Sequence, residues 1–320
     1  MSGSVTCRRI HRHRALVVFS VLGLLWALTG CDEFGARRKI QKADKLYTDG
    51  HYAEAVGLYE EALKVAPQLA IGHHNAGLAY SKLFVPGDDS PENLHFADKA
   101  TEHFQEYLKS NPGDGPIVGI MTRIWMDAGQ YKKALAYWEG ELTKDPNNPE
   151  VIEIVASINR QAGDWETAIE WHYRQADAVH DLGAKVDVYL LIAKIVWHKL
   201  SDRDKILAYD RLRIADIGVA AMTKAMDLKP PDDKAMELHG YMASIFEFRA
   251  LAHGASWARD ADRASTQYHR NQWRILNEEY QKQKKAEEQK DAEKSGADKA
   301  PDGQTGLLDP SPRATMVGRG

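Results

Sequence analysis

The sequence predicts an all-α fold in which helix-turn-helix units stack into a right-handed solenoid. Three segments share one pattern, in which an aromatic residue follows a glycine by two positions and an alanine follows three positions later. They are Gly50-His51-Tyr52 with Ala55, Gly129-Gln130-Tyr131 with Ala134, and Gly163-Asp164-Trp165 with Ala168. The last two segments are 34 residues apart, which is a period typical of paired-helix repeats. The first two are 79 residues apart, which corresponds to two such periods and an insertion of 11 residues.

Each position in this pattern has a mechanical role in a helix pair. Glycine can adopt the left-handed conformation that ends the first helix. Small residues such as Ala55 let two helices approach closely, and a large residue four positions later, such as Tyr59, lies on the same helix face. Proline ends the second helix because it cannot continue a helix interior, as expected at Pro67. One pair alone cannot bury its apolar face, so the pairs are expected to stack.

These residues resemble the tetratricopeptide repeat family. The second-helix motif of that family is matched by Ala55, Tyr59, Ala62 and Pro67, by Ala100, Phe104 and Pro112, by Ala134, Trp138 and Pro146, by Ala168 and His172, and by Gly218, Met222, Ala225 and Pro230. Weaker first-helix matches are Ala43, Leu46, Gly77, Tyr80, Thr122, Trp125, Ala156, Gly240 and Ala243. The resemblance implies about five to six repeats and a role in binding other proteins.

The repeat pattern divides the chain into segments. The predicted organisation is a lipoprotein signal peptide over 1–30, a lipidated cysteine and short linker over 31–35, four repeats over 36–178 with a loop insertion at 84–96, two degenerate repeats with an insertion over 179–254, a long charged capping helix over 255–294, and a disordered tail over 295–320. The surplus residues at 179–211 either lengthen the helices or form a loop, and the sequence leaves this open. The capping helix is predicted to be amphipathic from the spacing of its apolar residues, which include Trp257, Ala261, Ala264, Tyr268, Trp273, Leu276 and Tyr280.

The N-terminus has the pattern of a bacterial lipoprotein leader. Arginines without acidic residues precede an apolar run from Ala15 to Leu28. Fourteen helical residues cover about 21 Å, which is short of the roughly 30 Å hydrocarbon core of a bilayer. Leu28-Thr29-Gly30-Cys31 resembles the lipobox, and this resemblance implies that Cys31 becomes the acylated first residue of the mature chain. The alternative is an uncleaved signal anchor in which Cys31 is an ordinary thiol.

Either form of the N-terminus predicts a chain that faces the periplasm from the cell envelope. Asp32 follows the cysteine and resembles a signal for inner-membrane retention, but that rule varies among bacteria, so inner and outer membrane both remain open. The chain has 42 basic and 46 acidic residues; removing the four arginines of the leader leaves 38 against 46, a net charge of −8. A net acidic body argues against nucleic acid as a partner.

The sequence predicts no catalytic residue, cofactor or metal site. Cys7 leaves with the leader and Cys31 is the lipid acceptor, so no free thiol remains for nucleophilic or metal chemistry. The helical zinc motif His-Glu-x-x-His is absent, as is the nucleophile elbow of hydrolases. We therefore predict that the chain is not an enzyme.

The predicted functional surface is the concave groove, which the resemblance places at set positions of the first helices. Candidate partner-binding residues at these positions are Asp44, Tyr47, His74, Leu78, Arg123, Met126 and Arg160. Further lining positions are Thr48, Ile71, Lys82, Asp127, Glu153, Ser157 and Gln161. A carboxylate clamp, which in this family holds a C-terminal peptide, is only partly matched: Asn75 fits, whereas Asp44 and Ile120 do not. Binding of a free C-terminal carboxylate is therefore not predicted.

These observations predict a membrane-anchored periplasmic scaffold that binds envelope proteins or peptide segments through its groove. A narrower hypothesis is assistance in assembling a secretin, a pilus or an outer-membrane complex. The alternative is an accessory protein that regulates peptidoglycan enzymes, and a helical envelope enzyme is the remote one.

Overall fold

The computed structural model describes residues 32–202 and 206–297, and every regular element in these ranges is an α-helix. The chain divides into two compact units, of which unit 1 extends to Val179 and unit 2 begins at His180. The helices of unit 1 are α1 (32–48), α2 (Tyr52–Val65), α3 (Ala70–Leu83), α4 (Pro91–Ser110), α5 (Gly115–Asp127), α6 (Tyr131–Lys144), α7 (Pro149–Gln161) and α8 (Trp165–Ala178). Those of unit 2 are α9 (Leu182–Ser201), α10 (Ala208–Asp227), α11 (Asp232–Ala252) and α12 (Trp257–Ala297).

Helices pack against their neighbours in chain order, as a stack of helix pairs requires. In unit 1 the contacts run from α2 through α8, and in unit 2 from α9 through α12. The all-α repeat fold predicted from the sequence is thereby confirmed.

The repeated glycines end the first helices of three pairs in the same way. Gly50, Gly129 and Gly163 have φ angles of 84°, 68° and 87°. At the first of these turns the amide of Gly50 donates to the carbonyl of Tyr47 at 3.1 Å, and that of His51 donates to Leu46 at 2.8 Å. The equivalent pairs of hydrogen bonds recur at the other two turns. This closure satisfies carbonyls at the helix end, and it explains why glycine occurs at this position.

The aromatic residues of the second helices fill the gaps between paired helices. Tyr59 and Phe104 are buried, with exposures of 1% and 0%. Close approach across the α3–α4 contact depends on Gly77, because an added Cβ there would lie 2.6 Å from Cε1 of Phe104. Small residues in this repeat therefore make room for specific rings.

The insertion predicted over 84–96 is a loop only in its first part. Only residues 84–90 lie outside helices, and α4 begins at Pro91, so the insertion lengthens the second helix of its pair. Asn93, which is 3% exposed, fixes the short connector. Its side-chain Nδ2 donates to the backbone carbonyls of Val85 and Asp88, and its Oδ1 accepts from the backbone amide of Val85. The turn-forming residues predicted a loop, but they did not show that the side chain of Asn93 would satisfy the hydrogen-bonding groups of the connector's backbone.

The predicted linker before the repeats is also helical, because α1 begins at residue 32. Glu33 Oε1 pairs with Nη2 of Arg37 at 2.7 Å, and acidic residues in a first turn favour helix formation. The predicted signal peptide, Cys31 and residues 298–320 of the predicted tail lie outside the described residues. Within the described part of the chain, no helix combines the length and apolarity needed to cross a membrane.

The surplus at 179–211 lengthens helices. Both α9 and α10 have 20 residues, whereas α6, the second helix of the third pair, has 14. Together they form the fifth pair, and α11 and α12 form the sixth, so the predicted capping helix is itself the second helix of a pair.

The buried face of α12 differs from the predicted apolar face. Trp257 and Tyr268 are 84% and 56% exposed, whereas Asp262 and Thr266 are 5% and 6% exposed. Asp262 Oδ1 accepts from Nη1 of Arg249 at 3.1 Å, which compensates for removing its charge from water. Burial nevertheless raises the pKa of Asp262. The face is held by polar pairing at the start of α12, where the apolar residues point away from α11. Further along, Trp273 of the predicted apolar set does lie against Gly240 of α11.

Candidate partner-binding groove

A small cavity, here called the Asp44 pocket, opens between α1 and α3 of unit 1. Its volume is about 180 Å³. The lining residues are Asp44, Tyr47, Thr48, Tyr59, Asn75 and Leu78. Three of the candidate residues, Asp44, Tyr47 and Leu78, are therefore brought together at one site. Tyr59 comes from the second helix α2 and was not among the predicted lining residues.

Asp44 is the acceptor at the centre of this pocket. Its Oδ1 accepts from the hydroxyl of Tyr59 at 2.7 Å and from Nδ2 of Asn75 at 2.8 Å. Burial, together with the hydrogen bond to Asp44, raises the pKa of Tyr59, so its hydroxyl stays protonated as a donor. Asn75, the one matched position of a carboxylate clamp, is thus occupied by a carboxylate of the chain itself. In this geometry Nδ2 of Asn75 already donates to Asp44.

A second and larger cavity, here called the Trp138 pocket, opens between α5 and α7. Its volume is about 500 Å³, within the range of roughly 300–1,000 Å³ that is usual for ligand pockets. The lining residues are Gly119, Thr122, Arg123, Met126, Asp127, Trp138, Ile154, Ser157 and Gln161. The predicted groove residues Arg123 and Met126 therefore share one site, and the register of the first helices placed them there.

Trp138 supplies the floor of that pocket from the second helix α6. Its Nε1 donates to Oγ1 of Thr122 at 3.0 Å, and Thr122 in turn donates to the carbonyl of Val118 at 2.8 Å. The indole is held in place by this chain while remaining only partly buried. Arg123 is exposed at the rim and has no ion-pair partner among the described residues. The pocket therefore combines a fixed apolar floor with an available guanidinium.

The remaining two candidate residues lie outside both cavities. His74 Nδ1 lies 2.7 Å from Oδ1 of Asn75, and its ring centroid lies 5.0 Å from that of Tyr107 on α4. His74 therefore borders the Asp44 pocket through Asn75 without lining it. Arg160 is exposed on α7 but does not line the Trp138 pocket, whose boundary on that helix is formed by Ser157 and Gln161.

Comparison with known proteins agrees with the repeat geometry. No family model matches the chain. Over 145 residues it is 30% identical to Hsp70-Hsp90 organizing protein 1 of Glycine max, a match that covers 44% of this chain and 23% of that protein. Paired helices closed by the same glycine turn, with the motif residues at their interfaces, decide the fold. The chain has the tetratricopeptide repeat fold.

Solved repeat structures overlap the chain only in part. A repeat protein from Bacteroides fragilis NCTC 9343 has a TM-score of 0.38 at 16% identity, covering 72% of this chain and 98% of its own. PilW, described as a type IV pilus biogenesis factor, has a TM-score of 0.30 at 18% identity, covering 59% and 91%. Overlaps of this size carry no argument about function. The chain also spans only 18% to 29% of the lengths of the curated relatives that it matches.

Unit 2 contains a basic cleft that was not predicted from the sequence. The cleft has a volume of about 430 Å³ and lies along α11 and α12. Arg259, Arg263 and Arg270 line it from α12, and Arg270 pairs with Glu247. The available signal was the helical spacing of these arginines, four and seven positions apart, which places them on one face.

Proposed function

We propose that this chain is a lipid-anchored periplasmic scaffold that recruits envelope proteins through the groove of unit 1. The observation that carries the proposal is the Trp138 pocket, in which an apolar floor is exposed beside the guanidinium of Arg123, which has no ion-pair partner among the described residues. Support for the membrane anchor comes from the sequence of the leader and from Cys31. The scaffold acts by stoichiometric binding, which raises the local concentration of its partners at the membrane.

The composition of the pocket defines the segment that it would bind. Met126, Trp138 and Ile154 provide apolar contacts, and Arg123 can pair with a carboxylate. An extended or helical segment with an apolar anchor next to an acidic residue fits these features. Assembly of a secretin, pilus or outer-membrane complex is the narrower form of this proposal.

A photo-crosslinking experiment tests whether the groove is the contact surface. A photoreactive phenylalanine analogue replaces Met126 in one strain and Lys132, which is exposed on α6 outside both cavities, in a second strain. We expect a reproducible protein adduct at Met126 that is absent at Lys132. Recovery of a secretin or another outer-membrane assembly would support the narrower form, and recovery of cell-wall enzymes would support the accessory role instead. Equal adducts at both positions, or none, would contradict the groove assignment.

Removing one contact from each pocket should weaken capture of the crosslinked partner. We expect the double variant Tyr47→Ala, Arg123→Ala to bind at least tenfold more weakly, because truncating a contact residue commonly costs about 1–2 kcal/mol. The measurement is surface plasmon resonance with the purified partner, and circular dichroism checks that helical content is unchanged. Arg160→Ala is the matched control, since it removes an exposed arginine outside both cavities. A similar loss in the control would show that general charge, and not the groove, determines binding.

The anchor can be tested separately from the groove. We expect Cys31→Ser to abolish incorporation of labelled palmitate and to move the protein out of the membrane fraction, because it removes the proposed lipid acceptor. The measurement is fractionation followed by immunoblotting. Persistence of the variant in the membrane fraction would support the uncleaved signal anchor.

A further inference from the structure

The size of the Asp44 pocket restricts what it can hold. Its volume of about 180 Å³ lies below the roughly 300–1,000 Å³ of pockets that enclose small molecules. The walls combine the ring of Tyr47 and the side chain of Leu78 with a hydrogen-bonded polar cluster around Asp44. A single long side chain with an apolar stem and a polar tip matches such a shape.

The charge of the Asp44 pocket is negative and uncompensated. Both donors that reach Asp44, the hydroxyl of Tyr59 and Nδ2 of Asn75, end on Oδ1. Among the described residues, no Lys, Arg or His lies within ion-pair distance of this carboxylate, and none donates to Oδ2. Asp44 is nevertheless partly buried. A partly buried carboxylate with one oxygen available favours a cation as its next ligand.

Nearby acidic residues of the helix pair differ from Asp44 in this respect. Glu61 accepts from Nζ of Lys39 at 2.8 Å, and Glu33 pairs with Arg37. Both of those pairs lie at the exposed surface, where they contribute little. Within the described ranges, the carboxylate of Asp44 thus has no cationic partner although basic residues occur on the same helix.

We propose that the Asp44 pocket binds a lysine or arginine side chain of the partner segment. The inference rests on the proposed function, since it assumes that the groove holds a partner. The methylene stem lies against Tyr47 and Leu78, and the cationic tip reaches Oδ2 of Asp44. Together the two pockets then select a partner segment that has a basic residue for the Asp44 pocket. The same segment has an apolar residue next to an acidic one for the Trp138 pocket.

Selection from random peptides tests this preference without knowledge of the partner. Phage that display random dodecapeptides are selected on the immobilised protein, and the recovered sequences are compared with those selected on Asp44→Asn. We expect enrichment of lysine or arginine on the unsubstituted protein and its loss on Asp44→Asn, in which the amide oxygen can still accept from Tyr59 and Asn75. Asp49→Asn is the matched control, because Asp49 is exposed in the turn after α1 and carries the same charge.

Affinity of one selected peptide gives the quantitative outcome. Replacing its basic residue with norleucine should weaken binding about tenfold, which corresponds to about 1.4 kcal/mol, and the replacement should have no effect on Asp44→Asn. Selected peptides that require Arg123 but show no basic preference would overturn this inference and leave the proposed function standing. Failure to select any peptide whose binding depends on groove residues would overturn both.

Discussion

Phe104→Ala should destabilise unit 1 by about 3–5 kcal/mol, the usual cost of removing a fully buried aromatic ring. Phe104 has 0% exposure and lies against α3, where Gly77 leaves room for it. Gly77→Ala should by itself cost about 1–3 kcal/mol, because the new Cβ would lie 2.6 Å and 2.7 Å from two ring carbons. Urea unfolding followed by circular dichroism measures both changes.

The two substitutions should not be additive. In the Phe104→Ala background, the Cβ of Gly77→Ala enters the space that the ring has left, so the second change should be neutral or stabilising. The control is Gly57→Ala on α2, where nothing lies within 4 Å of the added Cβ. That change should stabilise by up to about 1 kcal/mol, since alanine has the higher helix propensity. Equal costs of Gly77→Ala in both backgrounds would show that the ring does not limit this position.

The fold was predictable where one residue type solves a local backbone problem. Gly129 illustrates this, because its positive φ and the hydrogen bonds of the turn around it depend only on nearby residues. The loop predicted over 84–96 is present over 84–90 but was predicted too long, because residues 91–96 belong to α4 and the side chain of Asn93 closes the connector through its bonds to Val85 and Asp88. Composition indicates where a loop occurs, but it does not show how a hydrogen-bonded side chain such as that of Asn93 shortens the loop.

The buried face of α12 could not be predicted from apolar spacing for a related reason. Asp262 is buried because Arg249, on another helix, is within hydrogen-bonding distance. Pairing of that kind depends on tertiary structure and cannot be read from the spacing of residues. Trp257, in contrast, remains 84% exposed in spite of its hydrophobicity. Sequence periodicity assumes that apolar residues face the core, and the first half of this helix departs from that assumption, whereas Trp273 in the second half lies against Gly240 of α11.

The groove was predictable in register but not in shape. Repeat register placed Asp44 and Arg123 on the first helices at positions that do line cavities. The shape of each cavity depends on residues of the second helices, Tyr59 and Trp138, whose hydrogen bonds fix their rings. Register also assigned Arg160 to the groove, but this residue lines neither cavity. Binding by the groove residues remains a prediction.

Two histidines of unit 2 face each other through their Nδ1 atoms, and the space between these atoms holds only one proton. Nδ1 of His239 on α11 lies 2.7 Å from Nδ1 of His269 on α12. One ring must donate and the other must accept, so protonating both would set two N–H groups against each other. Phe246 stacks on the ring of His269 with an interplanar angle of 7°, which further removes it from water. Burial, with the neighbouring His239, lowers the pKa of His269 to about 4, and burial also lowers the pKa of His239.

Acidification should therefore destabilise unit 2. Because the pKa of His269 is lower in the folded chain than its ordinary value of 6.5, the unfolded chain binds more protons between these values. The stability that depends on a neutral His269 is fully present above pH 6.5 and is lost as the pH falls toward 4. At pH 5 the loss is at most about 2 kcal/mol, because one pKa unit corresponds to about 1.4 kcal/mol and the ring is partly exposed. Urea unfolding at pH 7.5 and pH 5 should show this loss, and His269→Gln, which can still hydrogen-bond to His239, should reduce it. His198→Gln, at an exposed position of α9, is the matched control and should leave the loss unchanged. An identical loss in His269→Gln would assign the pH dependence to other groups, because no proton would then be taken up at this position on unfolding.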